Sequence, residues 1–220
     1  MSSNTPRHRI YAQLAEIAAA LAHPHRLELL ERIAQGECSV EDLATRTRLS
    51  LANASRHLQI LRRARLAEPR REGKRMLYRL ISDSEVIALL GSLGRVGERN
   101  LAEIERIMRT YFRARDALEP ITREMLLERL RGGAVTLLDV RPSDEFAHGH
   151  LPGAINAPLA ELDAALAKLP KDHAVIAYCR GPYCVLSYEA VAALRSKGLE
   201  AYRLEEGYPE WKAAGLPIEA

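Results

Sequence analysis

The stretch AVIAYCRGPYCVLSYEAVAALRSKG, residues Ala174–Gly198, contains an apolar run, a tight turn and an amphipathic run. The apolar run predicts a strand that ends at Cys179, and the residues from Val185 to Lys197 predict a helix. Loop amides and a helix N-terminus directed at the end of a strand stabilise an anion and lower the pKa of a cysteine. The pattern therefore favours an accessible, reactive thiolate at Cys179, with Arg180 adding positive charge.

The same spacing also fits two cysteines that only pack inside a strand-turn-helix unit, so the C-x₄-C pattern alone leaves both interpretations open. A zinc site would need further ligands, and His173 is the only histidine nearby. The chain has three cysteines, Cys38, Cys179 and Cys184, and this odd number argues against a framework of structural disulfides. No metal and no cofactor are predicted.

Strands and helices alternate around this stretch. Val135–Val140 and Ala201–Leu204 read as strands, and Leu159–Ala167 reads as a helix. Such alternation is typical of a mostly parallel sheet covered by helices. The C-terminal part, residues 118–220, is therefore predicted to be an α/β domain.

The N-terminal part, residues 1–117, has mainly helical periodicity after six residues that we expect to be disordered. Pro24 marks an early helical position, and Ser39 and Ser50 are N-cap candidates. The exception is 66–81, where alternating apolar residues on both sides of Glu72-Gly73-Lys74 predict a β-hairpin. Helical spacing returns over 84–117, and three glycines between 91 and 97 predict a break or kink there.

The charge is divided unevenly between the two parts. Residues 1–117 hold 21 Lys and Arg against 14 Asp and Glu, whereas residues 118–220 hold 11 against 15. Nine of the basic residues fall between Arg56 and Arg79. A basic cluster on two short helices and a hairpin indicates a winged helix-turn-helix that binds double-stranded DNA. The alternative is a solvated basic face on an ordinary helical domain.

The predicted DNA contacts come from the helix after Ser50 and from the hairpin. Arg56 can pair with guanine, and Asn53 or Gln59 can pair with adenine. The remaining candidates face phosphates or the groove edge, and the full set is Asn53, Ser55, Arg56, His57, Gln59, Arg62, Arg63, Arg71, Lys74 and Arg75. The long apolar faces of the flanking helices predict a homodimer, which would bind an inverted repeat.

The segment 10–112 resembles the ArsR family of repressors, through HPHRLELLERI at 23–33 and SLANASRHLQILRRARLAEPRREGKRMLYRL at 50–80. The resemblance implies a homodimer whose repression an inducer relieves. Many members sense metals through a Cys-x-Cys pair, but Ser39 and Glu41 occupy those two positions here. Metal sensing at that site is therefore not expected, and Cys38 is interpreted as a buried small residue, with a redox role as the alternative.

The segment 119–220 resembles rhodanese domains, through LLDVRPSDEFAHGHLPGAINAP at 137–158 and GYPEWKAAGLPI at 207–218. The resemblance implies that Cys179 accepts sulfur as a persulfide held by the loop amides. The residues after Cys179 that would surround the persulfide are Arg180, Gly181, Pro182, Tyr183, Cys184 and Val185. The loop itself, Cys179 to Cys184, is six residues long, which matches sulfurtransferases and not the related phosphatases. Five further motif residues are interpreted as structural: Asp139, Arg141, Glu145, His150 and Trp211.

Many loops of this family end in Arg, Thr or Ser, but this loop ends in Cys184. We hypothesise that Cys184 resolves the Cys179 persulfide, so that thiosulfate activity is weak. The function expected from the sequence is a cytoplasmic repressor that senses or transfers reactive sulfur, with a persulfide or polysulfide as donor. The alternatives are a sulfurtransferase that its DNA-binding part localises or autoregulates, and arsenite binding by the two cysteines. No secretory signal or membrane span is predicted.

Overall fold

The computed structural model describes residues 5–113, 120–133, 135–166 and 173–220. Two compact units are present; the first ends at Val86 and the second begins at Ile87. This division groups the residues after Val86 with the second unit. It does not test the boundary predicted near residue 117, which stays a prediction. Within the described ranges, every helix is too short or too polar to span a lipid bilayer.

The first unit contains helices α1 (Pro6–Leu21), α2 (Pro24–Ala34), α3 (Val40–Arg46) and α4 (Leu51–Arg63). The predicted N-caps are confirmed, since the Ser39 hydroxyl accepts from the Asp42 amide and the Ser50 hydroxyl accepts from the Asn53 amide. The prediction of disorder over residues 1–6 is wrong at its end, because Thr5 caps a helix that starts at Pro6; residues 1–4 lie outside the described ranges.

The predicted hairpin is formed by β2 (Ala67–Glu72) and β3 (Arg75–Leu80), joined at Gly73 and Lys74. A two-residue strand that the sequence did not reveal, β1 (Cys38–Ser39), pairs with β3 and completes an antiparallel sheet of order β1-β3-β2. Leu58, Leu61, Tyr78 and Leu80 are buried. The apolar face of α4 therefore fixes the hairpin beside the helix-turn-helix.

Helix α5 (Asp83–Asn100) runs through the three glycines without interruption. The break lies instead at Leu101, which is non-helical and caps α6 (Ala102–Ile107), and a π-helix (Met108–Arg113) follows. The predicted break at the glycines is therefore wrong, because tertiary packing compensates for the low helix propensity of glycine; Gly94, for example, lies against the ring of Tyr183. The predicted end of this helical segment, at 114–117, lies outside the described residues.

The second unit also contains a parallel sheet of order β5-β4-β6-β7, which confirms the predicted α/β class. Its strands are β4 (Val135–Asp139), β5 (Ile155–Asn156), β6 (Ala174–Tyr178) and β7 (Ala201–Arg203). The helices around it are α7 (Arg123–Gly132), α8 (Ser143–Ala147), α9 (Leu162–Leu166), α10 (Val185–Ser196) and α11 (Tyr208–Ala213). A 3₁₀ turn (Leu159–Glu161) precedes α9, and the predicted last residue of that helix, Ala167, lies outside the described ranges.

The two faces of this sheet bury alternate residues of the same strands, as the period of two requires. Leu138, Val175 and Ala177 pack in one apolar cluster with α10. Leu137 and Ile176 pack in the other, with residues of α7 and α11. Both faces of the sheet are therefore covered, and the cysteine loop begins at the carboxyl end of β6, an inner strand.

Candidate functional site

The exposed face of α4 carries the residues predicted to contact DNA bases. Ala54, Leu58 and Leu61 are buried and hold one side of the helix against the first unit. The other side therefore exposes Asn53, Arg56, Gln59, Arg62 and Arg63, whereas Ser55 and His57 are half-buried. The structure thus places five of the seven predicted helix residues on one open surface.

The β2-β3 hairpin carries a second basic surface. Arg71, Lys74 and Arg75 are exposed at its tip, and the Arg71 Nε donates to the Gly73 carbonyl at 3.1 Å. Arg70 instead pairs with Glu37 at 2.6 Å. The three predicted contacts of the hairpin are thus exposed at its tip, and their binding to DNA stays a prediction.

His57 lies in a cleft of about 400 Å³ between α2 and α4, beside His23 and His25. Its ring centroid is 4.5 Å from that of His23 and 6.0 Å from that of His25. Burial, and then the nearby His23 and Arg26, lower the pKa of His57. Among the described residues, no group of three or more His, Cys, Asp or Glu is placed to hold a metal ion.

The lowered pKa of His57 predicts a small loss of stability in acid. Its pKa in the unfolded chain is the ordinary value of about 6.5, so the unfolded chain binds more protons at and below that pH. Stability from this group is complete above the unfolded value and decreases as the pH falls through it. We expect His57→Gln to reduce the difference in thermal midpoint between about pH 7.5 and about pH 5.5.

The control is His8→Gln, which alters an exposed residue of α1. This variant should retain the full pH dependence of the wild type. An unchanged pH dependence in His57→Gln would show that the cleft does not perturb the histidine.

The cysteine loop joins the end of β6 to the start of α10. Cys179 and Cys184 form a disulfide across it, with their Cα atoms 6.3 Å apart. Cys179 is 2 % exposed and Cys184 is 7 % exposed, and both belong to an apolar cluster. The expected accessible thiolate is therefore not present in this form, because the sulfurs are bonded to each other and buried. Cys38 lies outside this disulfide and is half-buried, not fully buried as interpreted from the sequence.

The loop amides are not all directed at sulfur. The Cys184 amide donates to the Gly181 carbonyl at 3.1 Å, so the expectation that every amide from Arg180 to Val185 surrounds a sulfur anion needs correction for this form. Val185 begins α10, and the Tyr183 side chain is 46 % exposed. Gly181 has a φ of 152° and Pro182 follows it; a non-glycine residue rarely adopts that conformation.

Arg180, the cation of the loop, is held by Glu145 of α8. Its Nε and Nη2 atoms each lie 2.8 Å from a Glu145 carboxylate oxygen, and Glu145 is buried. The sequence had suggested only a structural role for Glu145. The contact joins residues 35 positions apart, so periodicity could not reveal it; the acidic residue at a fixed place in the family motif was the available signal.

Asp139 and Arg141 form a fully buried ion pair after β4, with the Arg141 Nη2 2.6 Å from Asp139 Oδ2. The same nitrogen donates to the Gly149 carbonyl at 2.7 Å. The indole of Trp211 donates to the Pro217 carbonyl at 2.8 Å, and the His150 amide donates to the Glu219 carbonyl. These motif residues thus fix strand ends and loops, which is the role predicted for them.

Gly207 lies directly beneath the cysteine loop. A Cβ atom at this position would overlap the Gly181 nitrogen and the Arg180 carbonyl carbon, and would lie 2.6 Å from the Cys179 oxygen. The next amide, that of Tyr208, donates to the Cys179 oxygen at 3.0 Å. The start of α11 thus positions the backbone of Cys179, and only glycine permits so close an approach.

We therefore expect Gly207→Ala to destabilise the second unit by about 1–3 kcal/mol, the usual cost of overpacking against rigid backbone. Urea unfolding followed by the fluorescence of Trp211, the only tryptophan of the chain, measures this cost. Gly132→Ala is the matched control, because a Cβ there meets no atom within 4 Å. Equal stability of the two variants would contradict the close packing at Gly207.

Comparison with known proteins matches both units. The helix-turn-helix domain family matches residues 21–70, and the rhodanese-like domain family matches residues 122–214. The chain is 44 % identical over 211 residues to the HTH-type transcriptional regulator Rv0324 of Mycobacterium tuberculosis, covering 94 % of this chain and 90 % of that protein.

Two further relatives each match one part. A sulfurtransferase of Allochromatium vinosum is 35 % identical over 102 residues, which is 46 % of this chain and 94 % of that protein. The homodimeric winged helix-turn-helix DNA-binding domain of Mb0332 from Mycobacterium bovis, described as a possible ArsR-family regulator, is 37 % identical with a TM-score of 0.41. It covers 46 % of this chain and 94 % of its own.

Proposed function

This chain belongs to the HTH-type transcriptional regulators that join an ArsR-like helix-turn-helix domain to a C-terminal rhodanese-like domain, and from that premise we propose that it is a repressor controlled by reactive sulfur. The DNA-binding unit would occupy an operator as a homodimer. The cysteine loop would react with a persulfide or polysulfide and change the affinity for that operator.

Exposed apolar side chains support the homodimer. Leu14 of α1 is 53 % exposed, and Leu93 and Val96 of α5 are 45 % and 59 % exposed. Exposed apolar residues grouped on helices are typical of a surface that another protein covers. A second copy of the chain fits best, because two copies related by a two-fold axis would present two basic faces to an inverted repeat.

The observation that carries the sulfur proposal is the Cys179–Cys184 disulfide at the end of β6. Its formation in the loop supports a two-step reaction. The Cys179 thiolate first attacks the terminal sulfur of a persulfide, forming Cys179–S–SH and releasing the donor thiol. The Cys184 thiolate then attacks Cys179 Sγ, which forms the disulfide and expels hydrosulfide. The transferred sulfur atom is reduced and the two thiols are oxidised.

The charge of the loop supports sensing over rapid turnover of thiosulfate. Arg180 is already neutralised by the buried carboxylate of Glu145, and the loop ends in Cys184 where many sulfurtransferases have Arg. Thiosulfate carries two negative charges and would gain little electrostatic attraction here. A second thiol within bonding distance would also remove the persulfide before an external acceptor arrives.

A catalytic role is the second candidate. The identity of 35 % over 102 residues to a sulfurtransferase favours it, and in that case the DNA-binding unit would only localise or autoregulate the enzyme. Fast and saturable transfer of sulfur from thiosulfate to cyanide by the purified protein would favour the enzyme. Slow turnover combined with a change in operator affinity would favour the regulator.

The test of the proposed function is operator affinity with and without sulfur. An operator is selected from random DNA with the reduced protein, and its dissociation constant is measured by gel shift before and after treatment with inorganic polysulfide. We expect a change of about 5–150-fold, the usual range of allosteric coupling. Equal affinities in the two states would overturn the sensor proposal.

DNA recognition by α4 and by the hairpin predicts two distinguishable losses of affinity. Arg56→Ala should lose about 1–3 kcal/mol of discrimination against a changed guanine, because it removes a bidentate base contact. Lys74→Ala should weaken binding to all sequences alike and lower the salt slope by about one. Gel shifts at several salt concentrations measure both. Arg131→Ala, on the exposed surface of α7, is the control, and a loss equal to that of Arg56→Ala would contradict the assignment.

A further inference from the structure

The cysteine loop makes a specific contact with helix α5. Tyr183 lies between Cys179 and Cys184, inside the ring that the disulfide closes. Its hydroxyl donates to Glu98 Oε1 at 2.7 Å. Burial and the Glu98 carboxylate both raise the pKa of Tyr183, so the phenol stays protonated and can keep donating this hydrogen bond.

The surface of α5 is shaped for this contact. Gly94 and Glu98 lie four residues apart and therefore share one helix face. A Cβ atom at position 94 would lie 2.5 Å from the Tyr183 oxygen. Because Gly94 has no side chain, the phenol ring of Tyr183 can pack against the helix there. The Glu98 carboxylate, one turn later, accepts the hydrogen bond from its hydroxyl.

A second aromatic contact lies close to the loop. Phe112 of the π-helix packs edge-to-face on Tyr188, with ring centroids 5.1 Å apart. Tyr188 is buried in α10, one turn after Cys184. Residues of α5 therefore contact the cysteine loop, and Phe112 contacts α10, the helix that follows the loop.

The opposite side of α5 carries a different surface. At about 100° per residue, Val96 lies across the helix from Gly94 and Glu98, and Leu93 lies between the two sides; both side chains are exposed. The helix itself begins at Asp83, before the boundary at Val86 between the two units. One continuous helix thus carries the Tyr183 contact, the apolar face assigned above to the dimer, and residues of the DNA-binding unit.

We propose that Tyr183, through its hydrogen bond to Glu98, couples the bonding state of the Cys179–Cys184 pair to helix α5. This inference rests on the proposed sulfur-dependent regulation and identifies the contact that would link the cysteine loop to α5. Reduction of the disulfide by a dithiol adds two electrons and two protons, gives two thiols, and opens the ring that contains Tyr183. The loop then releases the tyrosine from Glu98, and α5 loses a contact that favours one of its positions in the dimer.

The decisive variant is Tyr183→Phe, which keeps the ring on Gly94 and removes only the hydroxyl. The ratio of operator dissociation constants between the disulfide form and the dithiol form is measured for the full chain. We expect this ratio to be about 5–150 in the wild type and close to one in Tyr183→Phe, which lacks the donor, and in Glu98→Leu, which lacks the acceptor. Tyr202→Phe is the matched control, because it removes a comparable hydrogen bond to Glu200 at 2.9 Å; its ratio should equal that of the wild type.

Hydrogen exchange of the α5 amides separates failure of the inference from failure of the proposed function. In the wild type, amides of residues 91–100 should exchange faster after reduction, and in Tyr183→Phe both forms should exchange at the faster rate. If this exchange pattern appears but the disulfide and dithiol forms bind the operator equally well, the coupling to α5 stands and the regulatory function fails. If Tyr183→Phe keeps the wild-type ratio and exchange pattern, the inference is overturned.

Discussion

Replacing Cys179 by serine is expected to abolish both sulfur loading and the response of DNA affinity to polysulfide. The thiolate is the nucleophile in sulfur transfer, and a serine hydroxyl at neutral pH is not ionised enough to replace it. The backbone of the site should remain intact, because serine has nearly the same shape and its carbonyl still accepts from the Tyr208 amide. Basal operator binding in the reduced state should equal that of the wild type.

Mass spectrometry distinguishes the roles of the two cysteines in that prediction. After treatment with polysulfide, Cys184→Ser should keep an added sulfur of about 32 Da on the Cys179 peptide, because no second thiol expels it. The wild type should end two hydrogen atoms lighter, as the disulfide. Cys38→Ser, at the cysteine outside the disulfide, should behave like the wild type. A sulfur adduct on the corresponding peptide of Cys179→Ser would show that Cys179 is not the acceptor.

Replacing Arg141 by methionine is expected to destabilise the second unit by about 3–5 kcal/mol, because it leaves a buried carboxylate without its partner. Asp139 and Arg141 are both inaccessible to solvent, and Arg141 also holds the Gly149 carbonyl and stacks 4.2 Å from the Tyr208 ring centroid. Urea unfolding followed by the fluorescence of buried Trp211 measures the loss in the same unit.

An exposed ion pair provides the contrast for that measurement. Lys197 pairs with Asp163 at 2.7 Å on the surface, and Lys197→Met should cost at most about 1 kcal/mol. A second comparison replaces both buried partners, as Asp139→Leu with Arg141→Met, and should recover part of the loss because no lone charge remains. A loss of less than about 1 kcal/mol in Arg141→Met would contradict the assigned burial.

The parts of the fold that local chemistry determines could be predicted from the sequence. Ser39 and Ser50 begin helices because their hydroxyls satisfy free amides, and this signal is written in a few adjacent residues. The hairpin around Gly73 and the alternation of strands and helices after residue 134 are likewise local patterns. The position of the cysteine loop followed from the same reasoning.

The features that depend on contacts between distant residues could not be predicted. Helix α5 passes through Gly94 because Tyr183 packs there, although those residues are far apart in sequence. The expectation that Cys179 is accessible came from the chemistry of a loop thiolate, whereas its exposure of 2 % is set by the strands and helices that pack around it. The pairing of Arg180 with Glu145 similarly changes the charge of the loop without any local signature.

The burial of both sulfurs has a consequence for how long a response lasts. Thiol–disulfide exchange requires the attacking thiolate to reach one sulfur in line with the bond, and here the surrounding apolar cluster leaves little room for a bulky reductant. Resetting should then wait for the loop to open, not for the supply of reductant. Under the proposed regulation, the disulfide form would therefore persist for some time after the reactive sulfur had been removed.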